Sequence, residues 1–145
     1  MGVEVGVVRE VDQELVDAFG VLLPQLSASA EPLDRAALER VVRSEAITVL
    51  TARLDGRIVG TLTLVLFPVA TGMRARIEDV VVDASARGRG VAAELTRHAL
   101  HLAGQARART VDLTSRPDRE AANRLYERLG FRARSSTVYR YGSER

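Results

Sequence analysis

The sequence predicts one α/β domain, a mixed, mostly antiparallel sheet of six or seven strands flanked by about four helices, and three observations predict it. Two apolar runs rich in β-branched residues, 47–54 and 57–67, are joined at Asp55-Gly56, a two-residue hairpin signal. A third apolar run, Ile77-Glu78-Asp79-Val80-Val81-Val82, is followed by a glycine-bearing segment and then by helical periodicity across residues 91–105. A short apolar run at 110–114 follows that helix. It must pair parallel to the 74–82 strand, because a whole helix separates the two and a right-handed crossover is required.

The remaining elements follow in order. Residues 3–8 alternate with period two and read as a strand; Asp12 is a side-chain cap for a helix running to about Leu23, ahead of Pro24. Residues 26–31 are small and polar, with Pro32 after them, and read as a loop. Asp34 opens a second helix over 35–43 with Leu38, Val41 and Val42 as its buried stripe. Residues 67–73 break the strand pattern as a turn, 74–82 is the next strand, and 83–86 is a short connection. The third helix starts at Val91 and ends near Ala103. A fourth ends at Gly130, which reads as the left-handed residue closing a helix. Residues 131–135 and 137–141 read as two short final strands, with a polar tail at 142–145.

A chain of 145 residues with 46% hydrophobic residues and a mean hydropathy of -0.02 suits a single domain at 1–145 with one core. The N-terminal alternation does not read as a signal peptide and no run approaches a membrane span, so the expected address is the cytoplasm. There is no Cys, which excludes disulfides, thiolate metal sites and acyl-cysteine chemistry. The net charge is +2 and the pI about 9.6, yet all 21 basic residues are Arg and they are interleaved with 19 acidic ones, a pattern of a solvated, ion-paired surface. The local group Arg74, Arg76, Arg87 and Arg89 stands apart from it.

In Arg87-Gly88-Arg89-Gly90-Val91-Ala92 two glycines allow a tight turn and close approach of a ligand to the backbone. The free N–H groups of the helix's first turn, with the positive end of the dipole behind them, suit a pyrophosphate. A Walker loop needs a Lys, which this chain lacks, and the dinucleotide fingerprint needs a third glycine and a later acidic residue. What remains, Arg-x-x-Gly-x-Ala, resembles the acetyl-CoA signature of the GCN5-related N-acetyltransferases. A second segment, from Thr114 through Asn123 and Tyr126 to Gly130-Phe131, is similar to that family's strand, loop and closing helix. The resemblance covers roughly residues 47–141.

The resemblance implies direct transfer of an acetyl group from acetyl-CoA, a cosubstrate, to an amine, with no metal. An alkyl ammonium has a pKa of about 10.4, so presenting it neutral at pH 7 costs roughly 4 to 5 kcal/mol unless a base takes the proton. Glu78 is the candidate base, directly or through water. Asp79 points to the other face of a regular strand, and a bulge would move the assignment by one residue. Tyr126 is the candidate general acid for the departing thiolate. Val80, Val81 and Val82 would hold the pantetheine arm through main chain, and Arg87, Gly88, Arg89, Gly90, Val91 and Ala92 the pyrophosphate. Asn123 can reach the same cofactor. Many family members carry an Asn seven residues before the Tyr, where this chain has Arg119, so either Asn123 or Arg119 takes that contact. His98 and His101 lie with Glu94 and Arg97 on the polar face of their helix and read as surface residues.

The partners expected are acetyl-CoA and an unidentified amine of a small molecule or protein, with no nucleic acid or membrane, and a homodimer formed through edge strands. The resemblance implies that the specificity segments are roughly 22–32, 67–73 and 135–141. Two other readings stay open: a catalytically inactive acyl-CoA-binding sensor, and an arginine-rich nucleic-acid-binding module.

Overall fold

The structure is a computed structural model that describes residues 2–142, so residues 143–145 of the expected polar tail lie outside the described residues. In chain order it contains β1 (Glu4–Val7), α1 (Gln13–Leu26), α2 (Arg35–Arg43), β2 (Ile47–Leu54), β3 (Arg57–Val69), β4 (Gly72–Val82), a 3-10 turn at Ala84–Ala86, α3 (Val91–Gln105), β5 (Thr110–Asp112) and α4 (Glu120–Arg128). The sheet has the order β1-β2-β3-β4-β5. All its pairs are antiparallel except β4 with β5, which is parallel as the crossover argument requires. The chain divides into two compact units, one up to Leu113 and one from Thr114.

Local chemistry fixes the elements of the first unit. Asp55 and Gly56 have φ of 52° and 78°, the two positive values of a type I′ turn, and they set the β2–β3 register. Asp12 accepts a hydrogen bond from the Leu15 amide at 2.9 Å, so the expected cap forms, and Asp34 caps α2 by accepting one from the Ala37 amide at 2.8 Å. Leu15, Phe19 and Leu22 of α1 and Leu38 of α2 are buried in one cluster with Val49, Ile58 and Val81 of the sheet. Leu95, Ala99 and Ala103 of α3 are buried as well, and that helix comes close to the sheet at Gly60. A Cβ at residue 60 would stand 3.0 Å from Val91 Cγ1 and 3.3 Å from Leu95 Cδ1.

Four expectations need correcting. Helix α1 runs through Pro24 to Leu26 instead of stopping before the proline. The residue one turn back, where a proline ring crowds a helix, is the exposed Gly20, whose carbonyl water can reach. An interior proline costs about 3 kcal/mol, and partial burial of Leu26, against about 1.5 to 3 kcal/mol for a full leucine, offsets part of it. The second turn is only Ala70-Thr71, with Val69 opposite Gly72, so Pro68 sits within β3 at its exposed end. β5 is three residues long rather than five.

The last correction is the strand count, five rather than six or seven, because neither 131–135 nor 137–141 forms a strand. A strand exists only within a ladder, and these segments have no ladder partner among the described residues. Their apolar members Val138, Tyr139 and Tyr141 are exposed. Within the second unit, α4 closes on Gly130 at φ 104°, and the Phe131 amide donates to the Tyr126 carbonyl at 2.9 Å.

Candidate active site

The register of β4 contains its most consequential irregularity. Thr63 faces Glu78 and Thr61 faces Val81, so Asp79 and Val80 together stand against the single residue Leu62. This is a β-bulge, and Asp79 carries it with φ 52°, a conformation Asp tolerates better than most residues. Because residues directly opposite share a face, Glu78 lies on the face of Thr63, with Arg76 opposite Val65 and Arg74 opposite Phe67 in the same row. Glu78 accepts from Arg76 Nε at 2.5 Å. Asp79 is exposed, and desolvation by the surrounding protein, then the charge of Glu78, push its carboxyl above the ordinary aspartate range.

The bulge falls where β4 loses its neighbour. β5 pairs only with Arg74, Ala75 and Arg76, so among the described residues Ile77 to Val82 have no ladder on that side. Their N–H and C=O groups form an open main-chain edge that includes Val80, Val81 and Val82. An unladdered edge is a template for an extended, amide-bearing ligand.

Beyond this edge the chain is braced before it turns. The Asp83 carboxylate accepts from Gln25 Nε2 at 2.7 Å, from the Ser85 amide at 3.1 Å and from the Ser85 hydroxyl, while the Ala84 amide donates to Gln25 Oε1 at 2.9 Å. Led by the Ser85 hydroxyl, these bonds hold the Asp83 pKa down to about 2. The end of α1 is thereby tied to the approach to the glycine loop. Gln25 is there only because the helix continues past Pro24.

The loop has the expected character. Arg87, Gly88, Arg89 and Gly90 are all exposed, Gly88 and Gly90 have φ of 78° and 80°, and nothing lies within 4 Å of a Cβ added at either. Gly90 is the N-cap of α3 and has no side chain to bond the first turn, so the amides that begin with Val91 and Ala92 face outward without a cap. The amides at the helix start suit an anion, and the open edge of β4 suits an amide-bearing arm.

A family model for the acetyltransferase (GNAT) family matches residues 9–131. The chain belongs to that family. The match runs across both compact units of this acetyltransferase-family chain. Among solved structures it resembles a protein of Agrobacterium tumefaciens str. C58, with TM-score 0.83, 24% identity and coverage of 97% of this chain and 99% of the other. An acetyltransferase of Trypanosoma brucei gives TM-score 0.78 at 26% identity over 97% and 99%. AAC(6')-Iy, solved with the bisubstrate analogue CoA-S-monomethyl-acetylneamine, gives TM-score 0.79 at 17% identity over 99% of each chain. No curated protein sequence matches.

The second unit of this family member contains the other expected residues. Tyr126 is buried, its ring 5.7 Å from that of Phe131 in an edge-to-face arrangement, and burial raises its phenol pKa against the lowering effect of Arg119. Asn123 Nδ2 donates to the Arg116 carbonyl at 3.1 Å, so the amide closes the turn before α4 and leaves its oxygen as an acceptor. The Ser115 hydroxyl is buried without a hydrogen-bond partner among the described residues, a group the sequence reading did not single out. His98 and His101 are exposed, and among the described residues no group of three or more potential ligands is placed to hold a metal ion. No helix of the described residues is long and apolar enough to cross a membrane. The sequence reading also missed Asp83 and Gln25. Their only sequence signal is a capping pattern, Asp followed two residues later by Ser, and the Gln25 half of the contact is 58 residues away.

Proposed function

We propose that this chain is an acetyl-CoA-dependent N-acetyltransferase in which 1–145 acts as one domain. The observation that carries the reading is the open edge of β4 ending at a glycine-capped helix start, in a member of an acetyltransferase family. In this reading the pyrophosphate binds the amides of Val91 and Ala92 with Arg87, Gly88, Arg89 and Gly90 around it, and the pantetheine adds to Val80, Val81 and Val82 as a strand. One amide of that edge polarises the thioester carbonyl. Asn123 Oδ1 is the acceptor assigned to a pantetheine amide.

For the base, the bulge offers two neighbours, Glu78 and Asp79. Glu78 is committed to Arg76, whereas Asp79 is exposed at the bulge with a raised pKa, so we assign Asp79 to take the ammonium proton, directly or through water. The neutral amine attacks the thioester carbon, the C–S bond breaks, and Tyr126 gives its proton to the thiolate. A phenol whose pKa is raised is fully protonated at neutral pH and available as that donor. The reaction is read as cytoplasmic, with a homodimer as the expected assembly.

The test is acetyl-CoA titration by calorimetry followed by turnover of an amine panel. Saturable binding with release of free thiol on adding amine is the expected result. Binding without turnover on any amine would identify an acyl-CoA sensor instead, and absence of binding would sink the assignment.

A further inference from the structure

The segment that carries the chain from the open edge of β4 to the glycine loop is gripped by one side chain of α1. The Gln25 carboxamide donates through Nε2 to Asp83 Oδ1 at 2.7 Å and to the Val21 carbonyl at 3.1 Å, and its Oε1 accepts from the Ala84 amide at 2.9 Å. Asp83 Oδ2 accepts from the Ser85 amide and hydroxyl, and Arg57 Nη2 donates to that hydroxyl oxygen at 3.3 Å. The main chain completes the grip. The Asp83 amide donates to the Val59 carbonyl of β3 at 2.7 Å, and the Ala86 amide to the Asp83 carbonyl at 2.9 Å.

Position 25 calls for a carboxamide. It must offer a donor to a carboxylate oxygen and, beside it, an acceptor to a backbone N–H; a carboxylate lacks the donor and an ammonium lacks the acceptor. The charge on Asp83 strengthens the bond it accepts. Beyond this bridge the loop has little of its own to hold it. Ala86 and Val91 are buried, whereas residues 87–90 between them are exposed, and nothing lies within 4 Å of a Cβ added at Gly88 or Gly90. The loop therefore takes its position from its two anchors. Packing of α3 on the sheet fixes Val91, and the Gln25 bridge fixes the turn that ends at Ala86.

We propose that Gln25 is a positioning residue for the anion-binding loop: it holds the first anchor of residues 87–90 from the end of α1, so that acetyl-CoA affinity depends on a side chain that does not touch the ligand. The inference rests on the acetyl-transfer reading above. The pyrophosphate assigned to the loop is unchanged during acetyl transfer, so a displaced anchor weakens binding and leaves the rate at saturation nearly intact. Linkage is reciprocal. If the last turn of α1 supports the loop, a ligand in the loop supports that turn in return.

The experiment titrates acetyl-CoA by calorimetry into the wild type, Gln25→Ala, Gln25→Glu, and the exchanged pair Gln25→Glu with Asp83→Asn. The exchanged pair places the amide donor at position 83 and the acceptors at position 25, re-forming the bridge with its polarity reversed. Gln25→Ala should raise Kd about three- to tenfold, and Gln25→Glu, which sets two carboxylates together, more than about tenfold. The exchanged pair should return to within about threefold of the wild type, and kcat under saturating acetyl-CoA should change less than about threefold throughout. Hydrogen exchange at amides 25–27 should slow on adding acetyl-CoA to the wild type and to the exchanged pair, and not in Gln25→Glu. An unchanged Kd in Gln25→Glu with a lowered melting temperature would make the bridge a stabilising contact only. A folded exchanged pair that binds no better than Gln25→Glu would remove the bridge as the cause. Either result overturns the inference and leaves the acetyl-transfer reading standing, whereas failure of the wild-type chain to bind acetyl-CoA would sink that reading and the inference with it.

Discussion

The two ends of β4 are made from the same kind of sequence and behave differently. From Arg74 to Arg76 the strand is paired on both sides, with β3 and with β5, and just before that stretch the stem of Arg109 crosses Gly72. From Ile77 to Val82 it is paired on one side only, and there the ladder slips by one residue at Asp79. A strand paired on both sides has its main chain committed, so recognition at that end depends on side chains. Where the partner stops, the main chain itself becomes available, and the bulge sets a carboxylate beside it. The length of β5, three residues, draws the boundary between the two.

The sharpest way to break the open end is at its bulge. Asp79→Asn should lower kcat by about 10²- to 10⁴-fold, while Glu78→Gln lowers it less than about tenfold, measured under saturating acetyl-CoA. The reverse order would return the base to Glu78. Asn also accepts the positive φ. With a raised folded pKa, Asp79 favours the folded state below the ordinary aspartate range and gives that up as pH rises through the folded value. Asp79→Asn should therefore keep or raise the melting temperature at neutral pH, separating lost chemistry from lost fold.

Next in size, Gly90→Glu should weaken acetyl-CoA binding by more than about 100-fold in calorimetry, because it adds strain at φ 80° and a negative charge at the helix start. Tyr126→Phe should lower kcat by about 10- to 100-fold with acetyl-CoA affinity unchanged; unaltered turnover would reduce the phenol to packing against Phe131. The smallest effect concerns the brace at Asp83. Its folded pKa of about 2 lies below its unfolded value, so its contribution is present above about pH 4 and is lost as pH falls toward about 2. Asp83→Asn should flatten the acid limb of a stability–pH curve over that interval.

Features encoded within a few residues were legible in the sequence. Asp55-Gly56, the caps at Asp12 and Asp34, the glycine loop and the termination of α4 at Gly130 all work through local φ values or hydrogen bonds three or four residues away. Registers were not legible. The run Ile77-Glu78-Asp79-Val80-Val81-Val82 reads as unbroken strand, and only its pairing with Thr61 to Thr63 shows that it is one residue too long for its partner. Pro24 misled because its ring crowds only the exposed Gly20, a partner four residues back. The C-terminal runs 131–135 and 137–141 have strand-like side chains, but side chains alone do not supply a ladder.

Gly60 carries no functional group, yet it sets the height of the start of α3 above the sheet. Helix α3 rests on the sheet at that position, with the side chain of its first residue, Val91, at the closest approach. One methyl group there would lift the helix start by a few tenths of an ångström, and the outward amides of Val91 and Ala92 would rise relative to the edge of β4. A thioester slung between the helix and that edge would then meet its attacking amine from a different level. Misplacement approaching 1 Å can cost about 10²-fold in rate. In the acetyl-transfer reading, the distance between two layers of apolar packing is a kinetic variable in its own right.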